Sequence, residues 1–443
     1  MSIDPVRNAA VTALLAVFER DAYLNIAVDR VLGRSDLSQR GSRFLTQLVY
    51  GTVRHKTLCD HVLRRLVKQP IEDLPAAILT ILRMGVFQSL FCNEVPHPAM
   101  VNTSVDLAHK RGHAGTARLV NAVLRRVPQR IDDVRWPDRG TAPLEYLAVR
   151  YSIPDWLVRN WANTVGLEEA ERLCGAYSEQ APVTFRVNTL KVSRDDLMPR
   201  MTKSGFRLEL HRDIPDVLTL LDGPAPSKSK WFQEGLFVIE DAASTLPPHL
   251  VEPEPGERVL DLCAAPGVKT IHLAELARDQ ASVVALDVHA HKLALVRENV
   301  ARLGLTHVQG VCGDAIHPPV AAGFDRVLVD APCSGLGTIR RRPDLKWRVT
   351  AETPARMAEI QRALLRSAMG LCKNGGVVVY SVCTFSPEET DAVVEACLAD
   401  GGVRTEDGPP WLAKWKTNKG RYRTSPLDAG LDGFFLTRLR KES

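Results

Sequence analysis

Apolar residues recur at helical spacing through the first third of the chain. Ala10, Leu14, Leu15 and Phe18 form one such stripe, Leu45, Leu48, Val49 and Val53 another, and Leu58, Val62 and Leu66 a third. Each predicts an amphipathic helix. Ile78, Ile81, Leu82, Val86 and Leu90 predict a strongly apolar helix, expected at the centre of a bundle. Leu119, Val120, Val123 and Leu124 predict the last helix, with Arg125 and Arg126 in its final turn, where positive charge offsets the helix dipole. Strand signals are nearly absent, so residues 1–135 read as an all-α bundle. Residues 131–145 hold two prolines, a glycine and many charges, as linkers do. A helical segment then runs to about Ser178. Thr184–Asn188 and Arg207–Leu210 alternate as strands do, and Trp231–Ile239 reads as a strand pair. Residues 145–245 therefore predict a small α+β piece.

From Gly256 onward the pattern becomes strand, loop, helix, repeated. Strands are expected over Arg258–Leu262, Ser282–Leu286, Thr306–Cys312, Arg326–Val329 and Gly376–Tyr380, with Gly433–Arg438 late. Helices such as Ala290–Arg302 and Pro354–Leu371 lie between. That alternation predicts a doubly wound parallel α/β sheet of Rossmann-like type over residues 246–443.

A chain of 443 residues is too long for one core, in keeping with this division into three. It is 45% hydrophobic and 25% charged, ordinary for a soluble protein. No apolar run nears the ~20 residues of a membrane helix, and Met1–Asn8 lacks the apolar core of a signal peptide. A cytoplasmic protein with no membrane partner is expected. The net charge of +5 is uneven: residues 1–140 hold 20 Lys and Arg against 13 Asp and Glu, and the remainder is nearly balanced. A basic helical domain hints at a polyanion partner. The nine Cys are scattered, odd in number and without a C-x-x-C pair. Neither a disulfide framework nor a metal site is expected from them, and reduced thiols are.

Chemistry gathers at the carboxyl ends of the predicted strands, where open α/β sheets bind ligands. The run Val327–Val329 ends in Asp330, and Pro332, Cys333, Ser334, Gly335 and Gly337 keep the chain in a loop. A second strand, from Gly375, is built the same way and ends at Cys383. The first strand ends at Asp261 and leads into the loop Cys263, Ala264, Ala265, Pro266, Gly267, Val268 and Lys269. Small residues there let a ligand approach the backbone closely. A single glycine in that loop is not the G-x-G-x-x-G pattern of dinucleotide sites. Asp287 ends the next strand, at the distance where an acid bonds ribose hydroxyls, and Asp314 ends the third, placed for an adenine. Acids on four successive strand ends, with no pyrophosphate cradle, imply an adenosine without phosphates, hence S-adenosyl-L-methionine. Lys269 and Arg340–Arg342 are expected to face RNA phosphate or the cofactor carboxylate.

These motifs carry a resemblance. Asp-Leu-Cys-Ala-Ala-Pro-Gly-x-Lys-Thr at 261–270, Asp-Ala-Pro-Cys-Ser-Gly-x-Gly at 330–337, Arg-Arg-x-Pro-Asp-x-Lys-Trp at 340–347, Tyr-Ser-x-Cys-Thr with Pro-Glu-Glu at 380–389, and Asp-Gly-Phe-Phe at 432–435 resemble the ribosomal RNA cytosine-5 methyltransferases of the NOL1/NOP2/sun family. Residues 1–130 resemble the NusB-like RNA-binding domain of its RsmB (Sun/Fmu) branch. Val268 and Val382 depart from the family, which has Gly and Thr there. The resemblance implies S-adenosyl-L-methionine as cofactor and 16S ribosomal RNA as substrate, free or in an early small-subunit particle, with the enzyme a monomer. It makes Cys383 the nucleophile that adds to carbon 6 of cytosine, Cys333 the thiol that assists product release, and Asp330 their partner at the base. The residues alone leave the order of the two thiols open, since Pro332-Cys333 also matches the nucleophile dipeptide of DNA cytosine methyltransferases. The same chemistry on transfer RNA or another ribosomal site, or a non-catalytic RNA-binding factor, are the other readings; both Cys and all four strand-end Asp speak against the last.

Overall fold

The computed structural model of the protein describes residues 3–428 and 430–442. Met1 and Ser2 of the amino-terminal stretch read above, with Ala429 and Ser443, lie outside the described residues. The chain divides into two compact units, Met1–Glu179 with Ile339–Val349, and Gln180–Thr338 with Thr350–Ser443.

The first unit is helical. Its first helix, Pro5–Glu19, starts on Asp4, whose carboxylate accepts the Arg7 N–H at 2.8 Å, with proline in the first turn. The helix Ala76–Phe91 is buried nearly all round, as its unbroken apolar character requires of a central element. The helix Gln39–Arg54 crosses it at Gly51, where a Cβ would lie 1.9 Å from the Phe87 ring. The helices Pro143–Arg150, Asp155–Val165 and Leu167–Ser178 belong to the same unit. So does the distant segment 339–349. There Trp347 Nε1 donates to Val53 O at 2.8 Å, Lys346 Nζ to Arg54 O at 2.8 Å, and Leu24 N to Asp344 Oδ2 at 3.2 Å.

The second unit holds two sheets. Strands β1 (Val183–Val187), β2 (Arg207–Leu210), β3 (Val217–Asp222) and β4 (Phe237–Ile239) form an antiparallel sheet in the order β2-β3-β1-β4. The pair expected over Trp231–Ile239 is a strand only in its second half. Ser229 caps a helical turn at Lys230–Gln233, accepting the Phe232 N–H, and Trp231 packs edge-on against Phe206 in the core instead.

The larger sheet contains β5 (Arg258–Asp261), β6 (Ser282–Asp287), β7 (Val308–Cys312), β8 (Phe324–Asp330), β9 (Cys372–Val382), β10 (Val403–Glu406), β11 (Tyr422–Arg423) and β12 (Phe435–Lys441). Its order is β10-β12-β9-β8-β5-β6-β7, with β11 paired to β12. The five strands β7, β6, β5, β8 and β9 are parallel, but β12 runs antiparallel to β9 and to β10, so the sheet is mixed. After β10 the chain has only the short 3₁₀ segment Pro410–Trp415. β11 follows it, no helix of the described residues packs the chain across the sheet there, and β12 comes back antiparallel to β10. Leu328, Val377 and Val379 face one core, and Val327, Val329, Val378, Tyr380 and Val382 the other. Burial on both faces explains the continuous apolar runs of β8 and β9. Strand order reverses at β5, with β6 and β7 on one side and β8 on the other, which opens a crevice at the carboxyl ends. Among the described residues, no helix is long and apolar enough to cross a membrane.

Candidate active site

The loop after β5 passes over the crevice. Gly267 has φ +99°, and a Cβ on it would lie 3.0–3.1 Å from Val296, so only glycine lets the loop run flush against the helix Ala290–Leu303. Ala265 N donates to Asp287 Oδ2 at 3.1 Å, and His289 N to Asp287 Oδ1 at 2.8 Å. Asp287 thus binds the loop to the end of β6. Asp261 is fully buried: Thr270 Oγ1 donates to its Oδ2 at 2.7 Å, while its Oδ1 has no partner among the described residues. Burial pushes its carboxyl up to about 7. Asp314, past the end of β7, is exposed and accepts the Ile316 N–H at 2.9 Å and a bond from His317, which hold it below the usual carboxylate range. Cys263 is half-buried, and burial pushes its thiol up.

At the ends of β8 and β9 the two thiols meet. Cys333 Sγ and Cys383 Sγ stand 3.3 Å apart. Beside them Asp330 accepts Lys269 Nζ at 2.6 Å and Ser381 Oγ at 2.7 Å. The hydrogen bond with Cys383, burial, and the charges of Cys383, Glu389 and Asp330 push the Cys333 thiol well above its ordinary range. Two thiolates this close repel, so the pair carries at most one negative charge near neutrality. Burial works against the Lys269 ammonium, but the charge and hydrogen bond of Asp330 outweigh it and hold Lys269 above its ordinary range; the Cys383 sulfur adds to that hold.

A buried carboxylate absent from the expected set ties the two thiol loops together. Glu389 accepts Ser334 N at 2.8 Å, the Ser334 hydroxyl, Gln361 Nε2 at 3.0 Å and Thr384 Oγ1 at 3.3 Å. Gln361 also donates to Pro332 O at 2.9 Å. Gly337 N donates to the Cys383 carbonyl at 2.9 Å, and a Cβ on Gly337 would lie 1.8 Å from Gly433 O. The motifs at 330–337, 380–389 and 432–435 are therefore one hydrogen-bonded assembly. Pro-Glu-Glu was legible as a motif; that its second acid turns inward was not, because nothing local separates Glu388 from Glu389.

The basic residues expected at phosphate or a cofactor carboxylate fall in different places. Arg340 is buried, and Arg54 Nη2 donates to its carbonyl at 2.6 Å; Arg342 is exposed, over the Tyr23 ring. The buried side chains of Leu345 and Lys346 draw the segment in. Lys269, expected at phosphate or a cofactor carboxylate, bonds Asp330. Arg186 and Asn188 are fully buried: Arg186 pairs with Glu240 and Glu275, and Asn188 Nδ2 donates to Gly235 O at 3.0 Å.

Family models match along the chain: NusB family over residues 4–129, the ferredoxin-like domain of RsmF/B-like methyltransferases over 153–226, and 16S rRNA methyltransferase RsmB/F over 248–440. The chain is 36% identical to the "Probable ribosomal RNA small subunit methyltransferase B" of Bacillus subtilis (strain 168), over 99% of both chains. It is 31% identical to the ribosomal RNA small subunit methyltransferase B of Klebsiella pneumoniae subsp. pneumoniae, over 98% of both. Among solved structures, a methyltransferase homolog protein from Pyrococcus horikoshii matches with TM-score 0.60 and 29% identity, over 68% of this chain and 99% of that one. With matching sequence along the whole length and the paired motifs assembled at one sheet edge, the chain belongs to the RsmB/F family of 16S rRNA methyltransferases.

Proposed function

We propose that this enzyme methylates carbon 5 of a specific cytosine in 16S ribosomal RNA through a covalent bond between Cys383 and carbon 6. The observation that carries the reading is the pair of sulfurs 3.3 Å apart beside Asp330. S-adenosyl-L-methionine, the methyl donor of the family, supplies an electrophilic methyl group when bound. The residues fit it. The Gly267 turn leaves room for no side chain between loop and helix, and the orphaned, buried Oδ1 of Asp261 is an acceptor suited to an ammonium group. Cys263, Ala264, Ala265, Pro266, Gly267 and Val268 would line the donor, with Asp287 and Asp314 toward its ribose and base.

Carbon 5 of cytosine is a poor nucleophile until carbon 6 carries a substituent. The Cys383 thiolate supplies that substituent, a covalent-catalysis step. The hydrogen bond with Cys383, burial and the nearby acids keep Cys333 protonated, and the Lys269 ammonium, held by Asp330, supplies positive charge to the Cys383 sulfur. Asp330, fixed by Lys269 and Ser381, orients the base edge. Once carbon 5 has taken the methyl group, its proton passes to water, and the electron pair of that carbon–hydrogen bond restores the carbon 5–carbon 6 double bond as the carbon–sulfur bond breaks. The leaving Cys383 thiolate is stabilised by the Cys333 S–H and by Lys269. The target base reaches such a pocket only unpaired or flipped out. Residues 1–135 and 145–245 provide RNA recognition by shape and phosphate contact. The enzyme works as a cytoplasmic monomer on free RNA or an early particle.

Cys383→Ala is expected to abolish methylation, and Cys333→Ala to accumulate a protein–RNA adduct that migrates slowly on denaturing gels. Trapping by Cys383→Ala and not by Cys333→Ala would reverse the two roles. Bisulfite sequencing of 16S RNA from a deletion strain identifies the cytosine; a deletion that changes no 16S position overturns the substrate.

A further inference from the structure

Behind the crevice, three elements of the second unit bring together side chains that the mechanism does not use. Asp216 directly precedes β3, His249 lies in the last turn of the helix Leu246–Val251, and His272 lies within the helix Val268–Leu276. Asp216 Oδ2 is 3.4 Å from His249 Nε2 and 3.3 Å from His272 Nε2, and one ligand atom from each residue falls within 4.8 Å of the others. The imidazoles meet edge-on with centroids 4.8 Å apart, and Trp411 closes the outer side of His249 at 5.0 Å.

Of these contacts only the long approach of His249 Nε2 to Asp216 Oδ1, at 3.5 Å, has hydrogen-bond geometry. A charged Asp–His bond draws its atoms to about 2.7–2.9 Å, closer than either contact here. His272 is 1% exposed, yet neither ring nitrogen makes a hydrogen bond among the described residues. Such a buried, unsatisfied ring is costly unless something else completes it. The spacing suits coordination. Ligand atoms about 2.0–2.1 Å from a tetrahedral zinc ion stand about 3.3–3.4 Å from each other. Both Asp–His distances match such an edge. Two imidazoles and a carboxylate are a donor set for late first-row divalent ions. Arg186, the cation whose charge reaches His272, is itself matched by Glu240 and Glu275.

We propose that Asp216, His249 and His272 bind one divalent transition-metal ion of the zinc class as a structural clamp. It would tie the small antiparallel sheet, through Asp216, to the helix that carries Lys269 one turn before His272. Separations of 33 and 23 residues match no short zinc motif, so no local pattern marks the three as a set.

The full-length protein, stripped with a chelator and titrated with Zn²⁺ or Co²⁺, is expected to take up one ion per chain, and the Co²⁺ form to show visible ligand-field absorption. His249→Ala removes the half-buried ligand of a short, otherwise buried helix. It should weaken binding by more than the roughly 10–100-fold lost with an outer-shell partner and abolish the rise in melting temperature that Zn²⁺ gives the wild type. A Cys333→Ser/Cys383→Ser protein should bind the ion as the wild type does. Absence of stoichiometric uptake, uptake unchanged by His249→Ala, or uptake lost with the two cysteines would each overturn the site.

Discussion

Asp261 is the residue on which burial and function pull in opposite directions. A free aspartate ionises near ~3.9, whereas burial holds this one at about 7. The folded protein keeps a proton that the unfolded chain has released, so stability falls as pH rises between those values. The penalty is absent below the unfolded value and complete above the folded one. Asp261→Asn has no such proton to lose. The unfolding free energy of the wild type, taken relative to that variant, should drop by about 2–4 kcal/mol between pH 4 and pH 8. Chemical denaturation of both proteins across that range checks it, and parallel curves would show that Asp261 titrates normally. At this scale the sequence was informative where an apolar run stopped. Asp330, Cys333 and Cys383 stood out because buried strands ended beside them. The inward turn of Glu389 and the orphaned oxygen of Asp261 depend on partners such as Gln361 and Thr270, which no local pattern pairs with them.

Between elements, the decisive contact is Arg186. It stands on β1 at zero exposure and bonds Glu240, just past β4, and Glu275, on the helix Val268–Leu276 that follows the β5 loop. In the sequence, alternation along β1 sets it with Thr184 and Asn188 on the polar face, with no sign of burial. The structure makes it the cation that reconciles two buried acids. Burial pushes Glu240 above its ordinary range even with Arg186 beside it. Removing the arginine strands two carboxylates in the interior, and breaking a buried pair in this way costs about 3–5 kcal/mol. Arg186→Met should therefore destabilise the second unit by that amount. Adding Glu240→Gln and Glu275→Gln to it should recover part of the loss, because two neutral amides replace two unpaired charges. Denaturant unfolding of the single and triple variants separates this from a surface role in RNA binding, which would lower RNA affinity and leave stability unchanged. The helices and parallel strands themselves were legible from their periods. The antiparallel β12 was not, since its direction is set by its pairing with β9 and β10 and not by its own residues.

At the scale of the whole chain, the path is what the sequence concealed. Residues 339–349 follow directly on the Cys333 loop and read as part of the catalytic motifs, yet they belong to the helical unit. Their partners there, Val53, Arg54 and Leu24, lie about three hundred residues away in the chain, as the separations of 294, 292 and 320 show. No local period announces such pairing. The contacts are not superficial: Leu345 and Lys346 are buried, Trp347 packs on the helical core, and Arg348 Nη2 donates to Ala22 O at 2.6 Å. Trp347→Ala removes a large apolar surface and the donor to Val53, a change that costs about 3–5 kcal/mol when burial is complete and less for a half-buried ring. The loss should therefore appear as faster amide exchange in the helices Gln39–Arg54 and Lys56–Leu66, with opening free energies lower by about 2–3 kcal/mol. Exchange in the helix Val268–Leu276, which belongs to the other unit, should stay as it was. If Trp347 were a surface ring on a catalytic loop, the order would invert: protection near 268–276 would fall and the two N-terminal helices would not respond.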